Sequence, residues 1–289
     1  LLSIPENGLS NDEYLMTWKL LLYSGLEINE INKFRSIIDG VKGGKLLKGI
    51  KASVIGFYVS DVVGDNLSSI GSGPTVPFTV EGFETFPEFQ NFPNELKKKL
   101  TLLSTKTREI TCSYENYLLI SQLEFSKKFR ELILEEKLSC KLFVKPFFND
   151  FVQTVNRIFA DLSLIMKTDY IKRTVYLWSG ESSVKISSSA NIGKGGRNQH
   201  LLLYLTKKWI EAHMPEAYIF TFGTDGIDGN TDFAGGWIMT KDCNEKGDLD
   251  RISSCLKDYD SSNFLLPDRI IKTGPTSINF ADIVGIYVP

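Results

Sequence analysis

The sequence predicts an α/β protein with mainly parallel sheets. Short runs of β-branched and aromatic residues alternate with longer segments that carry apolar residues at helical spacing. Four of the apolar runs end in loops of small and polar residues, which read SDVVGD, SGES, GTDGIDG and TGPTS. Because ligands of open α/β sheets bind beyond the carboxyl ends of strands, these loops are the first candidates for a functional site.

The predicted helices begin at recognisable signals. Ser10 and Glu13 form a capping box for the first helix, and Gly25 suits the position after its end. Asn29 opens the second helix. The remaining predicted helices span about 93–103, 122–138, 150–166, 198–213 and 244–256.

The predicted strands are short apolar runs. The first, SVIGFYV at 53–59, is continuous and β-branched, as expected of a strand buried on both faces. The others lie at 117–121, 141–145, 174–178, 217–222, 237–239, 269–271 and 282–288, with a hairpin partner expected at 184–187. A polar segment at 167–173 predicts two domains, 1–168 and 169–289.

Composition and charge narrow the class of function. The chain of 289 residues carries a formal net charge of −2, which argues against nucleic acid or an anionic membrane as a partner. No apolar run approaches the roughly 20 residues that a membrane span needs. Four scattered cysteines predict reduced thiols and a cytoplasmic protein, and two histidines make a structural zinc site unexpected.

The most distinctive stretch joins a glycine-arginine turn to an acidic loop. Gly195 and Gly196 precede Arg197 at a predicted helix start, where free N–H groups and a guanidinium favour an anion. Asp225 and Asp228 lie three residues apart and could share Mg²⁺, or one could act as a general base. An anion clamp, carboxylates and a metal are together typical of phosphoryl transfer.

A second glycine turn carries Lys42, Gly43 and Gly44, which could bring N–H and ammonium groups to a phosphate. A plain basic turn is the alternative. The P-loop pattern is absent, and the dinucleotide-binding fingerprint lacks its third glycine at Asn198. We expect His200, one turn into the helix after Arg197, to lie on a solvated helix face.

The ordered motifs resemble those of glycerate 2-kinases that end in a MOFRL domain. GGRNQ at 195–199, GTDGIDG at 223–229 and TGPTSINFAD at 273–282 carry the resemblance in the C-terminal part. SDVVGDNLSSIGSGPTVP at 60–77 and VKGGKL at 41–46 carry it in the N-terminal part. The resemblance implies a partial Rossmann-like α/β/α domain followed by an α/β MOFRL domain, with the active site in a cleft between them.

The resemblance also implies a kinase that uses ATP and Mg²⁺ to convert D-glycerate to 2-phosphoglycerate. Arg197 would contact the transferring phosphate or the glycerate carboxylate, and Asp225, then Asp228, would be the base or metal ligand. The further substrate-binding or phosphate-binding positions are Lys42, Gly43, Gly44, Ser60, Asp61, Asp65, Gly195, Gly196, Asn198, Thr224 and Thr276. The partners are small molecules, and a homo-oligomer is left open.

Some positions depart from the family pattern. The GKA lysine and the SGGGS loop of the family are not in this sequence, so we expect an N-terminally truncated member whose segment alone could be inactive. His200 replaces a family glutamate. Two alternatives to the kinase stay open: an oxidoreductase of the hydroxypyruvate reductase type, and a degenerate relative that binds sugar acids or nucleotide without turnover.

Overall fold

The protein is a mixed α/β structure that divides into two compact units, Leu1–Ile120 and Ser121–Pro289. The computed structural model describes residues 2–26, 28–77, 84, 87–105, 110–166, 173–186, 192–243 and 245–289. The predicted α/β class is confirmed. Within the described ranges, no helix combines the length and apolar character needed to cross a membrane.

The first unit contains three α-helices and a small parallel sheet among its described residues. The helices are α1 (Asn11–Leu22), α2 (Ile28–Ile38) and α3 (Asn94–Ser104), and the strands are β1 (Val54–Val59) and β2 (Tyr114–Ile120). The predicted capping box is confirmed, because Ser10 Oγ accepts the Glu13 N–H and the Glu13 carboxylate accepts the Ser10 N–H. The helices share an apolar core that includes Leu21, Phe34 and Leu100.

The predicted burial of β1 on both faces is wrong. Ile55 and Phe57 are 60% and 64% exposed. In the described part of the chain, β1 pairs only with β2, and this two-stranded sheet leaves alternate side chains of β1 uncovered. A continuous apolar run therefore identified a strand but not its surroundings.

The second unit is built on a six-stranded sheet in the order β3-β4-β8-β5-β6-β7. The strands are β3 (Ser139–Phe147), β4 (Thr174–Gly180), β5 (Tyr218–Gly223), β6 (Gly235–Met239), β7 (Ile270–Ile271) and β8 (Asp282–Val288). Only β3 and β4 pair in parallel, so the prediction of mainly parallel sheets is wrong for this sheet.

The position of β8 explains the difference. It pairs antiparallel with β4 on one side and with β5 on the other. Strands β4 and β5 therefore run in the same direction, as the strand-helix-strand pattern predicts, but they are not neighbours. The alternation of strands and helices predicts the direction of β4 and β5. It does not predict that a later strand, β8, lies between them.

The helices of the second unit are α4 (Gln122–Glu135), α5 (Phe151–Met166), α6 (Arg197–Glu211), α7 (Lys246–Lys257) and α8 (Ser261–Leu265). Helix α6 is the central one, because Leu201, Leu205 and Trp209 are buried in the same core as Val155 and Ile158 of α5. No hairpin strand forms at 184–186, and residue 187 lies outside the described residues.

The chain divides into its two compact units between residues 120 and 121, whereas the sequence predicts a domain boundary after residue 168. Strand β3 and helices α4 and α5 belong to the second unit because β3 pairs with β4 and α5 joins its core. Most of the polar segment 167–173 lies outside the described residues. The boundary after residue 168, which the polar segment predicts, stays a prediction.

Candidate active site

The candidate site lies at one edge of the second sheet, where three strand ends meet. The first residue of β8, Asp282, is paired with Gly180 at the end of β4 and with Gly223 at the end of β5. Glu181 follows β4, and Arg197 begins α6. The antiparallel insertion of β8 therefore brings a buried acid between the carboxyl ends of two strands.

Arg197 is held by two carboxylates. Its Nε and Nη2 donate to the two oxygens of Asp282 at 2.9 and 3.1 Å, and its Nη1 donates to Glu181. Burial lowers the pKa of Arg197, but Asp282 and Glu181 outweigh that effect and the net pKa is raised. The guanidinium that the sequence assigns to an anionic substrate thus already has two anionic partners within the protein.

Asp282 is fully buried, and burial raises its pKa to about 6 although Arg197 acts in the opposite direction. A bidentate guanidinium forms strong, charge-assisted hydrogen bonds with a carboxylate. Its attraction does not fully offset the loss of hydration at this depth. Proton uptake by Asp282 therefore begins at a higher pH than for an exposed aspartate.

Asp228 occupies the place where the sequence predicts a bound anion. It is buried, and its two oxygens accept the N–H groups of Asn198 and Gln199 at 3.0 and 2.9 Å, in the first turn of α6. Burial raises the pKa of Asp228, and these backbone donors oppose the rise. The geometry favours a helix-capping role, and a role as base or metal ligand stays a prediction.

The glycines of the predicted anion turn serve this internal contact. Gly196 is the N-cap residue of α6 and has no side chain to cap the helix. A Cβ at Gly196 would overlap the Asp228 side chain, and a Cβ at Gly195 would lie 3.2 Å from the backbone nitrogen of Ser261. The glycines therefore permit close approach of the acidic loop and of the segment at Ser261.

Asp225 differs from Asp228 in being partly exposed. Its Oδ1 accepts the Ile227 N–H at 3.2 Å, and its backbone oxygen accepts the Thr276 N–H at 2.9 Å. Thr276 Oγ1 donates to the oxygen of Thr224 at 2.6 Å. Thr224 Oγ1 in turn accepts the Phe280 N–H and donates to the Ala281 oxygen. Both threonines thus hold the loop that presents Asp225.

Polar atoms converge on Gly223. A Cβ there would lie 2.8 Å from Asp225 Oδ1, 3.4 Å from Asp282 Oδ1 and 3.4 Å from Asn198 Nδ2. Among the described residues, Asn198 Oδ1 is buried and has no hydrogen-bond partner. Asp225 is the acidic group of this cluster that is not committed to an ion pair or a helix end.

These oxygen donors suit Mg²⁺ only in part. In the described ranges, no three His, Cys, Asp or Glu side chains are grouped as a metal centre. Mg²⁺ commonly binds one or two protein carboxylates and completes its shell with water and substrate phosphates. Asp225 fits that arrangement, whereas both oxygens of Asp228 are occupied by backbone N–H groups.

The predicted site residues of the first unit lie around a different turn. Lys42 is buried, and burial lowers its pKa while Asp39 opposes the shift. The N–H groups of Gly43 and Gly44 donate to the oxygens of Ser72 and Gly73 at 2.9 and 2.7 Å. These glycine N–H groups therefore bind a neighbouring loop, and phosphate binding at Lys42 stays a prediction.

The acidic loop after β1 contains the remaining predicted residues. Ser60 is buried and its Oγ accepts the Val62 N–H at 3.2 Å. Asp61 is exposed, and Asp65 is partly exposed with a positive φ of 53°. Their participation in a shared cleft with Arg197 and Asp225 stays a prediction.

Sequence reasoning missed two residues of the site and misplaced a third. Glu181 lies in the motif SGES and follows β4, and Asp282 lies in TGPTSINFAD and begins β8. Their positions next to predicted strands were the signal that could have identified them. His200 was expected on a solvated face, which is wrong. It is buried against Phe151 and Tyr259, with ring centroids 4.7 and 5.7 Å away, because α6 packs into the core on several sides.

Two family models match the chain. The MOFRL family matches residues 174–282, and a domain of unknown function, DUF4147, matches residues 1–90. The MOFRL match covers β4 to the start of β8, which contains Glu181, Arg197, Asp225 and Asp282. The predicted MOFRL resemblance is confirmed.

Relatives match over nearly the whole chain. A glycerate 2-kinase of Pyrococcus horikoshii is 33% identical over 98% of this chain and 67% of its own length, and one of Picrophilus torridus is 30% identical over 99% and 66%. The crystal structure of a Thermotoga maritima glycerate kinase matches with a TM-score of 0.85 at 25% identity, covering 100% of this chain and 70% of that one.

A crystal structure of a P. horikoshii OT3 protein matches with a TM-score of 0.79 at 31% identity, covering 100% of this chain and 68% of that one. The chain spans about two thirds of the length of the curated relatives that it matches. The motifs in their order, the fold and these similarities together show that the chain belongs to the glycerate 2-kinase family.

Proposed function

We propose that the protein is an ATP-dependent kinase that transfers the γ-phosphoryl group to the C2 hydroxyl of D-glycerate and gives 2-phosphoglycerate. The observation that carries the proposal is the uncommitted Asp225 carboxylate, which Thr276 and Thr224 hold beside the Arg197–Asp282 pair. The glycerate 2-kinase names of the relatives support this choice of substrate.

In this proposal Asp225 has one of two tasks. As a base, it accepts the proton of the C2 hydroxyl while that oxygen bonds to the γ-phosphorus and the bond from the γ-phosphorus to ADP breaks. As a metal ligand, it would hold Mg²⁺, which would neutralise charge on the transferring phosphoryl group. Ile227 N–H orients the carboxylate in both cases.

Arg197 is proposed to bind an anionic substrate group by exchanging one partner. The Glu181 side chain is 43% exposed, whereas Asp282 is buried and bound to the guanidinium through both oxygens. A glycerate carboxylate or a phosphate can therefore displace Glu181 while Asp282 keeps the guanidinium in place. This exchange requires no new buried charge, because one anion replaces another.

The proposed function is tested on the protein produced from its complete gene. Release of ADP from ATP is measured with D-glycerate and Mg²⁺, and phosphorus NMR distinguishes 2-phosphoglycerate from 3-phosphoglycerate. Asp225→Asn should lower kcat by about 100-fold or more, in the usual range for a catalytic carboxylate. Wild-type turnover no faster than that of the variant would contradict the proposal.

The Mg²⁺ dependence of Asp225→Asn separates the two tasks. Loss of a metal ligand should raise the Mg²⁺ concentration needed for half-maximal rate, because only one protein carboxylate is proposed to hold the ion. Loss of a base should lower kcat with that concentration unchanged. Leu164→Trp is the matched control, since Leu164 is 71% exposed on α5 and should change neither quantity.

A second candidate function comes from two relatives of Agrobacterium vitis that are named putative hydroxypyruvate reductase, at 27% and 26% identity. The missing third glycine at Asn198 argues against the usual dinucleotide-binding turn. Oxidation of NADH on addition of hydroxypyruvate is the measurement that would favour it. A protein that binds ATP but releases no ADP would instead favour the degenerate relative.

A further inference from the structure

A pocket of about 570 Å³ in the second unit adjoins the candidate active site. Glu181, Gly195, Gly196 and Arg197 belong both to its lining and to that site. Its apolar lining comes from Phe148, Val184, Ile186, Ile192 and Tyr259. A mostly apolar pocket of this size is typical of sites for ring-containing small molecules.

Aromatic surfaces dominate one wall of this pocket. His200 and Tyr259 lie nearly parallel, with ring centroids 5.7 Å apart and an interplanar angle of 17°, and both line the pocket. The ring of Phe151 packs against His200 at 4.7 Å between centroids and is nearly perpendicular to the imidazole. Burial lowers the pKa of His200 to about 4, so the imidazole in this wall is neutral at physiological pH.

The pocket contains one hydroxyl that lacks an internal partner. Ser182 lines it and is buried, and its Oγ has no hydrogen-bond partner within the described residues. A buried hydroxyl without a partner costs free energy, so a ligand that supplies a donor or acceptor is favoured there. Ser182 is thus an independent indication that the pocket accommodates a polar atom of a ligand.

The charges around the pocket disfavour an anion in its apolar part. Arg197 is the one cation among the described lining residues, and it is bound by Asp282 and Glu181. Glu181 instead supplies a partly exposed carboxylate, which accepts hydrogen bonds from hydroxyl groups. D-glycerate, an anion with three carbon atoms, would neither fill this volume nor match its apolar walls.

We propose that this pocket binds the adenine ring of the nucleotide, with Ser182 Oγ bonded to the ring edge and Glu181 accepting from ribose hydroxyls. The inference rests on the proposed function in taking ATP as the substrate, and it assigns the base to the second unit. The ribose end then faces Glu181 and Arg197, so the phosphates extend toward Asp225. Adenine would lie against the aromatic wall formed by His200 and Tyr259.

Binding of adenosine, which carries no phosphate, tests the proposal on the complete protein. Titration calorimetry should detect adenosine binding to the wild type, and Val184→Trp, which fills the pocket, should weaken it by at least about tenfold. Ser182→Ala should weaken it by about fivefold without unfolding the protein, since it removes one hydrogen-bonding group. Leu164→Trp, at an exposed residue that is not part of the described lining, should leave the affinity unchanged.

The outcomes separate this inference from the proposed function. The inference would be overturned if the wild type does not bind adenosine, or if Val184→Trp and Ser182→Ala bind it as tightly as the wild type. Either result would count even if the protein releases ADP with D-glycerate. Adenosine binding that both variants weaken would support it even if no turnover is found, and the proposed function would then fail alone. In an active enzyme, Val184→Trp should raise KM for ATP and leave KM for D-glycerate unchanged.

Discussion

Asp228 is the residue at which the chemistry of a motif and its structural use differ most. A carboxylate in a glycine-rich loop near an arginine is typical of phosphoryl-transfer sites. In this protein the carboxylate caps α6 from a loop that is distant in sequence. The N-cap residue itself is Gly196, so the helix obtains from Asp228 the acceptor that an N-cap side chain usually supplies.

Replacing Asp228 with Ala should therefore lower the free energy of unfolding by about 2 kcal/mol, because two buried N–H groups lose their acceptor. Asp228→Asn should cost less, since its amide keeps one oxygen acceptor. Urea denaturation followed by circular dichroism measures both. An Asp228→Ala protein as stable as the wild type but without kinase activity would show that the catalytic interpretation of this residue was the right one.

Arg197 should matter for stability as well as for any substrate. Arg197→Met leaves the buried Asp282 without its partner and should cost about 3 kcal/mol near neutral pH. The double variant Arg197→Met, Asp282→Asn should recover part of that loss, because no uncompensated charge remains. Equal losses in the single and double variants would contradict the structural role of the pair.

The pH dependence of that loss follows from the pKa of Asp282. Its folded pKa of about 6 lies above the ordinary value of 3.8, so the folded state binds the proton more tightly between those values. Its contribution to stability is greatest below 3.8 and is lost as the pH rises through 6. The cost of Arg197→Met should accordingly shrink as the pH falls from about 7 to about 5, measured by urea midpoints.

His200 gives the opposite dependence. Its folded pKa of about 4 lies below the ordinary value of 6.5, so the unfolded chain binds the proton first as the pH falls. Stability should decrease between pH 6.5 and pH 4, and His200→Phe should reduce that decrease in urea denaturation at several pH values. An unchanged pH profile in the variant would show that the imidazole already titrates normally in the folded protein.

At the scale of one element, the start of α6 depends on close backbone approach. The acidic loop reaches the first turn of the helix only because Gly196 has no Cβ. Periodicity and the GGRNQ motif predict that a helix begins here, and α6 does begin at Arg197. They do not predict that a loop about thirty residues later in the chain lies against this turn, because that contact depends on how β5 and β6 pair.

Gly196→Ala should lower the free energy of unfolding by about 1–3 kcal/mol, because its Cβ would overlap both the backbone and the side chain of Asp228. Gly247→Ala is the matched control. Gly247 lies in α7 with open space where a Cβ would be, so alanine there should be neutral or stabilising. Similar effects of the two substitutions on the thermal midpoint would count against the steric argument.

At the scale of the whole molecule, the second unit has its own core. Phe147, Val155, Ile158 and Leu162 share one apolar cluster with residues of α6 and β8. A fragment of residues 121–289 should therefore unfold cooperatively. A fragment of residues 169–289 lacks β3 and α5 and exposes one side of that cluster, so it should be much less stable or aggregate.

Size-exclusion chromatography and thermal denaturation of the two fragments test this boundary. Cooperative unfolding of both fragments at similar temperatures would support the boundary predicted after residue 168. Cooperative unfolding of the longer fragment alone would support a unit that begins at Ser121. The comparison needs no substrate, so it is independent of the proposed function.

The sequence by itself determined the α/β class, most helices and strands, and the family, because periodicity, capping residues and ordered motifs are local properties of the chain. It also located the edge of the sheet that carries Arg197 and Asp225. Only the tertiary structure decided which acids remain available, since that depends on contacts between distant segments. Inserting β8 between β4 and β5 buries Asp282 against Arg197, and folding back the acidic loop turns Asp228 toward α6. Asp225 is left partly exposed beside them, so it is the carboxylate on which the proposed chemistry depends.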